Sequence, residues 1–252
     1  MRWLCWCSAA LLLAGCGGAR HVQAPQRNPF SYDRRAPLAI VDGGVYATSS
    51  RATIRKLSYA GADGKRVPAF IVVPRAPGRH PAVLFLHGSG GDRRDLLYEA
   101  ALLGLQGAVT MTISQPNDAQ TYRPLVVNAR RALDLLDARK DVDSKRLGVV
   151  GFSLGAQTAA ILAGADPRVK TAGIIAGRGT DVAVYWIRRT HARLFFQAGT
   201  HDDHVPHDQL LALMRAAPDH PRIHWYNVGH QLTKQIDADQ LAWQASQLHL
   251  GE

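Results

Sequence analysis

An α/β fold, with a mostly parallel central β-sheet and helices on both faces, is what this 252-residue chain predicts. Three observations predict it. Short runs rich in Val, Ile, Leu and Phe alternate with amphipathic stretches, the pattern of strands joined by crossover helices. Some of those runs, "AVLFL" at 82–86 foremost, are continuously apolar, as strands buried on both faces are. A Gly-x-Ser-x-Gly sequence also stands where one such run gives way to a helical stretch.

The elements follow in order. Residues 53–59 and 67–73 read as a hairpin around the turn "GADGK". Residues 82–86 and 108–113 ("AVTMTI") read as buried strands, with a helix over 94–105 between them. Residues 124–139, "PLVVNARRALDLLDAR", place Leu125, Ala129, Ala132, Leu133 and Leu136 on one helical face. Then come a strand at 146–150, a helix at 154–163 and a strand at 171–175. Residues 194–198 ("LFFQA") read as a strand, 209–215 as a helix, 223–227 as the last strand and 237–249 as the closing helix. No internal repeat or low-complexity segment interrupts this order, and nothing marks a second domain.

The first sixteen residues, "MRWLCWCSAALLLAGC", open on Arg2, run apolar from Trp3 to Leu13 and end in small residues. That is a signal-peptide pattern, and it falls short of the ~20 apolar residues a spanning helix needs. Leu13-Ala14-Gly15-Cys16 resembles the bacterial lipobox, which implies cleavage before Cys16 and lipidation of its thiol. The expected domains are therefore 1–15 as lipoprotein signal peptide, 16–37 as lipidated Cys16 and a polar, Pro-bearing tether, and 38–252 as one α/β domain. The resemblance implies an exported protein held on a lipid bilayer through acylated Cys16, on the periplasmic or outer cell-surface side. Cys5 and Cys7 would leave with the peptide, so a core and not a disulfide would hold the mature domain.

The formal charge of +10 raises nucleic acid as a partner. The cations are scattered, however, and the densest groups are pairs such as Arg93-Arg94, Arg130-Arg131 and Arg188-Arg189. No basic run is interleaved with aromatics, so nucleic acid is not the expected partner. Anionic headgroups or cell-wall polymers fit that charge better.

Chemistry concentrates at three places. In "VVGFSLGA", Gly151-Phe152-Ser153-Leu154-Gly155 stands between a strand and a helix. A serine on so sharp a turn needs residues without side chains where the flanking chain approaches, which makes Ser153 the candidate nucleophile. In "VLFLHGSGG", residues 83–91, a buried strand runs into a Gly-rich loop. If Ser153 attacks a carbonyl, the backbone N–H groups of Leu154 and Ser89 are the candidate oxyanion donors. His87 reads as a brace for that loop.

The third place is "QAGTHDDHVPHD", residues 197–208, read with "IHWYNVGHQL" further on. His230 follows the last strand and a freeing glycine and is the candidate base, whereas His224 lies within the strand. Asp202 and Asp203 cannot both face one imidazole, because successive side chains in extended backbone point apart. Asp202 lies nearer the strand end and is favoured as the acid, with Asp203 placed to serve the amides of the following helix. His201, His204 and His207 raise a metal alternative, but a turn and a helix start separate them and their spacing does not put them on one face. The expected site has no metal and no cofactor.

With Ser153, Asp202 and His230 in that order, the chain resembles the α/β-hydrolases. "VDSKRLGVVGFSLGA" and "AGTHDDHVP" are similar to the dienelactone-hydrolase-like branch, which includes many bacterial esterases. The resemblance spans roughly residues 38–250. It implies a serine esterase acting on small-molecule esters through an acyl-enzyme. One departure bears on substrate: the name-giving members use cysteine as nucleophile where this chain has Ser153, which favours ordinary ester hydrolysis over dienelactone ring opening. The segment at 177–193 is short for a lid, so an open site suited to short acyl groups is expected, with Tyr185, Trp186 or Ile187 near its edge. A thioesterase, acyltransferase or small peptidase on the same triad stays open, as does a silent binding lipoprotein.

Overall fold

Each stretch expected as a strand or helix forms one in the computed structural model, which describes residues 28–219 and 221–251. In chain order the elements are β1 (Val41–Thr48), β2 (Ala52–Ala60), β3 (Arg66–Pro74), β4 (His80–Leu86), α1 (Leu97–Leu105), β5 (Val109–Ile113), α2 (Tyr122–Asp137) and β6 (Val142–Phe152). There follow α3 (Leu154–Ala165), β7 (Val169–Ile175), α4 (Asp181–Ile187), β8 (Arg193–Gly199), α5 (His207–Ala216), β9 (Ile223–Tyr226) and α6 (Lys234–Gln247). Sequence reasoning missed β1 and α4. β1 is an edge strand, mostly exposed, whose Gly43-Gly44 pair breaks the apolar alternation, and α4 is only seven residues long.

The strands form one sheet in the order β1-β2-β3-β5-β4-β6-β7-β8-β9. The first three pair antiparallel, as does β3 with β5, and from β5 to β9 all pairs are parallel. All of β4 is buried, which is why its sequence shows no alternation. One apolar cluster covers one face, with Leu133, Leu136, Ile161, Ile187 and Leu213 from α2 to α5. A second covers the other, with Leu103 from α1 and Ile236 and Leu241 from α6. Burying one such Leu or Ile side chain contributes about 1.5–3 kcal/mol. The predicted face of α2 is the buried one.

The stretch expected as tether is part of the domain from residue 28 onward, which corrects the boundary placed at residue 38. Phe30 is 3% exposed, with its ring 5.5 Å from that of Trp186. Tyr32 Oη donates to Asp134 Oδ2 at 2.6 Å, and burial together with that carboxylate pushes its hydroxyl up to about 12. Arg130 donates to the Phe30 carbonyl at 2.7 Å and to Asp166 at 3.0 Å. Arg168 joins Asp134 to Asp166. The signal peptide, Cys16 and the rest of the expected tether lie outside the described residues.

Parallel strands deliver their C-terminal ends to one edge of the sheet, where their loops gather. The loops after β4, β6, β7, β8 and β9 therefore meet, although residues 87 and 230 are far apart in sequence.

Candidate active site

Ser153 is the single residue between β6 and α3, at φ 54° and ψ −113°. Positive φ in a residue with a side chain costs about 1–3 kcal/mol and persists only where the surroundings impose it. Here they do: the Ser153 amide donates to the Ile175 carbonyl at 2.9 Å, and its carbonyl accepts from Gln157 at 3.1 Å. The two glycines serve close packing. A β-carbon on Gly151 would lie 2.1 Å from the Gly155 oxygen, and one on Gly155 1.9 Å from the Leu86 oxygen.

The turn aims Ser153 at His230, whose Nε2 lies 2.9 Å from Ser153 Oγ. On its other side His230 Nδ1 lies 2.7 Å from Asp202 Oδ2. A carboxylate accepts, so Nδ1 carries the proton and Nε2 is left to accept from the hydroxyl. Two backbone bonds stitch the loops after β8 and β9 together: Thr200 N–H to the Tyr226 carbonyl at 2.8 Å, and His201 N–H to the Val228 carbonyl at 3.0 Å.

Asp202 is nearly enclosed, its side chain 3% exposed. Burial alone would raise its carboxyl, but the bonds from His230 and from the amides of Val205 and His204 outweigh it and hold the group below its usual range. Those amides both reach Oδ1 at 2.9 Å. The two aspartates do point apart. The amide-binding role, however, belongs to Asp202 and not to Asp203: Asp203 is 83% exposed and accepts from His204 Nδ1 at 2.7 Å.

The three histidines raised as metal ligands have separate neighbours. His201 Nε2 meets Asn227 Oδ1, the His207 ring lies against Trp225, and the His204 ring is stacked on His230. Among the described residues, the grouping of metal-ligand type is Asp202, Asp203 and His204, with ligand atoms within 4.8 Å of one another. Both Asp202 oxygens are already engaged by His230 and the turn amides.

The loop after β4 lies opposite. A β-carbon on Gly88 would come 3.4 Å from that of Ser153, so this backbone runs beside the hydroxyl. His87, 2% exposed, braces the loop: Nδ1–H donates to the Gly88 carbonyl at 2.7 Å, and Nε2 accepts the Gln115 amide at 2.8 Å. Gln115 Nε2 donates back to the His87 carbonyl at 2.7 Å. The Ser89 amide and the Leu154 amide, the first of α3, have no hydrogen-bond partner among the described residues. His224 stays on β9, its ring edge-on to Phe195.

The cleft holding Ser153 and His230 is also lined by Gln157, Arg178, His204 and Val205. Sequence reasoning missed these as site residues. Gln157 stands one helical turn beyond Ser153 and was within reach of that spacing, and Arg178 stands in the loop after β7. Gln157 Oε1 accepts from Tyr122 Oη, which lies 3.3 Å from Thr180 Oγ1. Nothing in the spacing of Tyr122 announced that link. Tyr185, Trp186 and Ile187, expected near the site edge, do not line it. Ile187 is buried, Trp186 meets Phe30, and Tyr185 lies under Arg189.

Residues 106–249 match the dienelactone hydrolase family. A curated 2,6-dihydropseudooxynicotine hydrolase from Paenarthrobacter nicotinovorans is 28% identical over 130 residues, 49% of this chain and 35% of that protein. The match thus spans about a third of that relative. Among solved structures, an acetyl xylan esterase from Paenibacillus sp. R4 has a TM-score of 0.71 at 18% identity, over 83% of this chain and 89% of its own. Acetyl xylan esterase 1 from Thermoanaerobacterium sp. JW/SL YS485 has a TM-score of 0.73 at 15% identity, over 88% and 91%. At such identities the likeness is one of fold.

Proposed function

The chain belongs to the dienelactone hydrolase family, and from that premise we propose that it is a serine hydrolase cleaving carboxylic esters. The observation that carries the reading is the unbroken line from Ser153 Oγ through His230 to Asp202, 2.9 and 2.7 Å, set on a serine at positive φ. In this reading His230 Nε2 takes the hydroxyl proton as Ser153 Oγ attacks the ester carbonyl. Asp202, ionised at neutral pH, orients the imidazole and stabilises its charged form. The amides of Ser89 and Leu154 receive the oxyanion, each such donor being worth about 10²–10³ in rate. His230 then protonates the departing alcohol, and the same residue activates the water that frees the acid. No step calls for a metal or cofactor.

The polar walls, Gln157, Arg178 and His204, favour short acyl groups, because a long alkyl chain would have to desolvate them without replacing their hydrogen bonds. The leader "LAGC" supports attachment to a bilayer through acylated Cys16, and with it an exported, membrane-anchored location. The deciding experiment is hydrolysis of p-nitrophenyl esters from acetyl to dodecanoyl, beside labelling by a fluorophosphonate. Hydrolysis of the short esters and labelling, both lost in Ser153→Ala, is the expected result. A folded protein that neither labels nor hydrolyses any of them refutes the proposal.

A further inference from the structure

The turn that brings Asp202 to His230 carries a second aspartate–histidine pair which the chemistry above leaves unused. His204 Nδ1 donates to Asp203 Oδ1 at 2.7 Å. The His204 ring lies nearly parallel to that of His230, centroids 4.8 Å apart and planes 16° apart. Phe152 also lies against His230, at 5.1 Å and 33°. His204 is fixed through its backbone at both ends: its amide donates to Asp202 Oδ1, and its carbonyl accepts from Arg178.

Resting on the serine-hydrolase reading, we infer that His204 is a positioning residue for the base: its neutral ring holds His230 in the plane joining Ser153 to Asp202, and its protonation withdraws that support. During acyl transfer His230 becomes an imidazolium. A neutral aromatic face beside a cation attracts it, whereas a second cation at the same distance repels it. Histidine is the side chain whose charge ordinarily changes between pH 5 and 8.

The groups facing His204 leave this as the operative change. Asp203 and Asp202 flank it from its own turn, Arg178 reaches it from the loop after β7, and His230 faces it from the loop after β9. Both carboxyls are held below their usual range, so they keep one charge across the interval in which a histidine ordinarily changes its own. Asp203 sits on the edge of the His204 ring, away from the stacked face, and is exposed, so water screens its compensation of a charged His204.

A charged His204 should therefore lower the rate on the acid side in addition to the loss of the base itself, so that two protonations shape the limb where a lone base would show one. The test measures the pH dependence of p-nitrophenyl acetate hydrolysis and of fluorophosphonate labelling in the full-length chain, with His204→Ala and His204→Phe beside it. The expected wild-type acid limb is steeper than one proton. His204→Ala should give a one-proton limb and a plateau roughly tenfold lower in kcat with KM little changed, a fraction of the ~10²-fold cost of a 1 Å misplacement. His204→Phe, which restores a ring that cannot ionise, should recover most of that plateau while keeping the one-proton limb. Identical limbs in wild type and His204→Phe, or a wild-type plateau in His204→Ala, overturn the inference while Ser153-dependent labelling still upholds the hydrolase. A wild-type chain that neither labels nor hydrolyses defeats the hydrolase reading, and this inference with it.

Discussion

Asp202 holds His230 with one carboxylate oxygen, 2.7 Å from Nδ1, while its other oxygen takes the two amides of its own turn. Its neighbour Asp203 faces solvent and a different histidine. The two aspartates should therefore differ sharply on substitution. Asp202→Asn should lower kcat by about 10³–10⁴-fold, because it leaves the imidazole in the wrong tautomer. Asp203→Asn should cost less than about tenfold, since that carboxylate touches neither His230 nor Ser153. Equal losses in steady-state assays of the two variants would contradict this arrangement.

Gly155 is required by contact. Gly155→Ala would put a carbon 1.9 Å from the Leu86 carbonyl oxygen, so α3 or β4 must shift. Overpacking of this kind costs about 1–3 kcal/mol, here toward the upper end because the obstacle is backbone. Thermal unfolding should show a Tm several degrees lower, and Ser153 labelling should slow because the turn itself moves.

Asp166 gives the domain an acid-sensitive element far from Ser153. Burial alone would raise its carboxyl, but Arg168 and Arg130 outweigh it and bring it down to about 2. A folded-state value below the unfolded one stabilises the protein above the unfolded value, and the stabilisation fades as pH falls through the folded one. The shift corresponds to about 2 kcal/mol at neutral pH, lost between roughly pH 4 and 2. Asp166→Asn should reduce urea stability at pH 7 by at least that amount and have far less effect near pH 2. A constant difference across pH would refute the account.

Phe30 tests where the domain begins. Its ring is buried against Trp186, and Phe→Ala in such a place costs about 3–5 kcal/mol. Phe30→Ala should unfold at clearly lower urea, as should a chain starting at residue 38 compared with one starting at residue 28. If both comparisons show no change, the lead-in adds nothing to stability.

The alternation of strands and helices, the Gly-x-Ser-x-Gly turn and the order Ser153, Asp202, His230 could all be read in the chain, because each is a local pattern. A buried strand loses its alternation, a tight elbow demands glycines, and a strand end followed by glycine frees a loop. The preference for Asp202 over Asp203 came from the same local geometry.

What tertiary structure alone decided is set by contacts between segments distant in sequence. β1 has so little apolar face that only its pairing with β2 makes it a strand. Residues 28–37 read as a polar tether until Phe30 and Tyr32 meet Trp186 and Asp134. Residues 185–187 of α4 read as lying near the site edge until the packing turns Trp186 toward Phe30 and buries Ile187. The cleft walls arise because parallel strands bring α3 and the loops after β7 and β8 to one edge, setting Gln157, Arg178 and His204 beside Ser153. Residue type and spacing specify the chemistry a segment can supply; which segments share a site depends on the register and order of the strands between them.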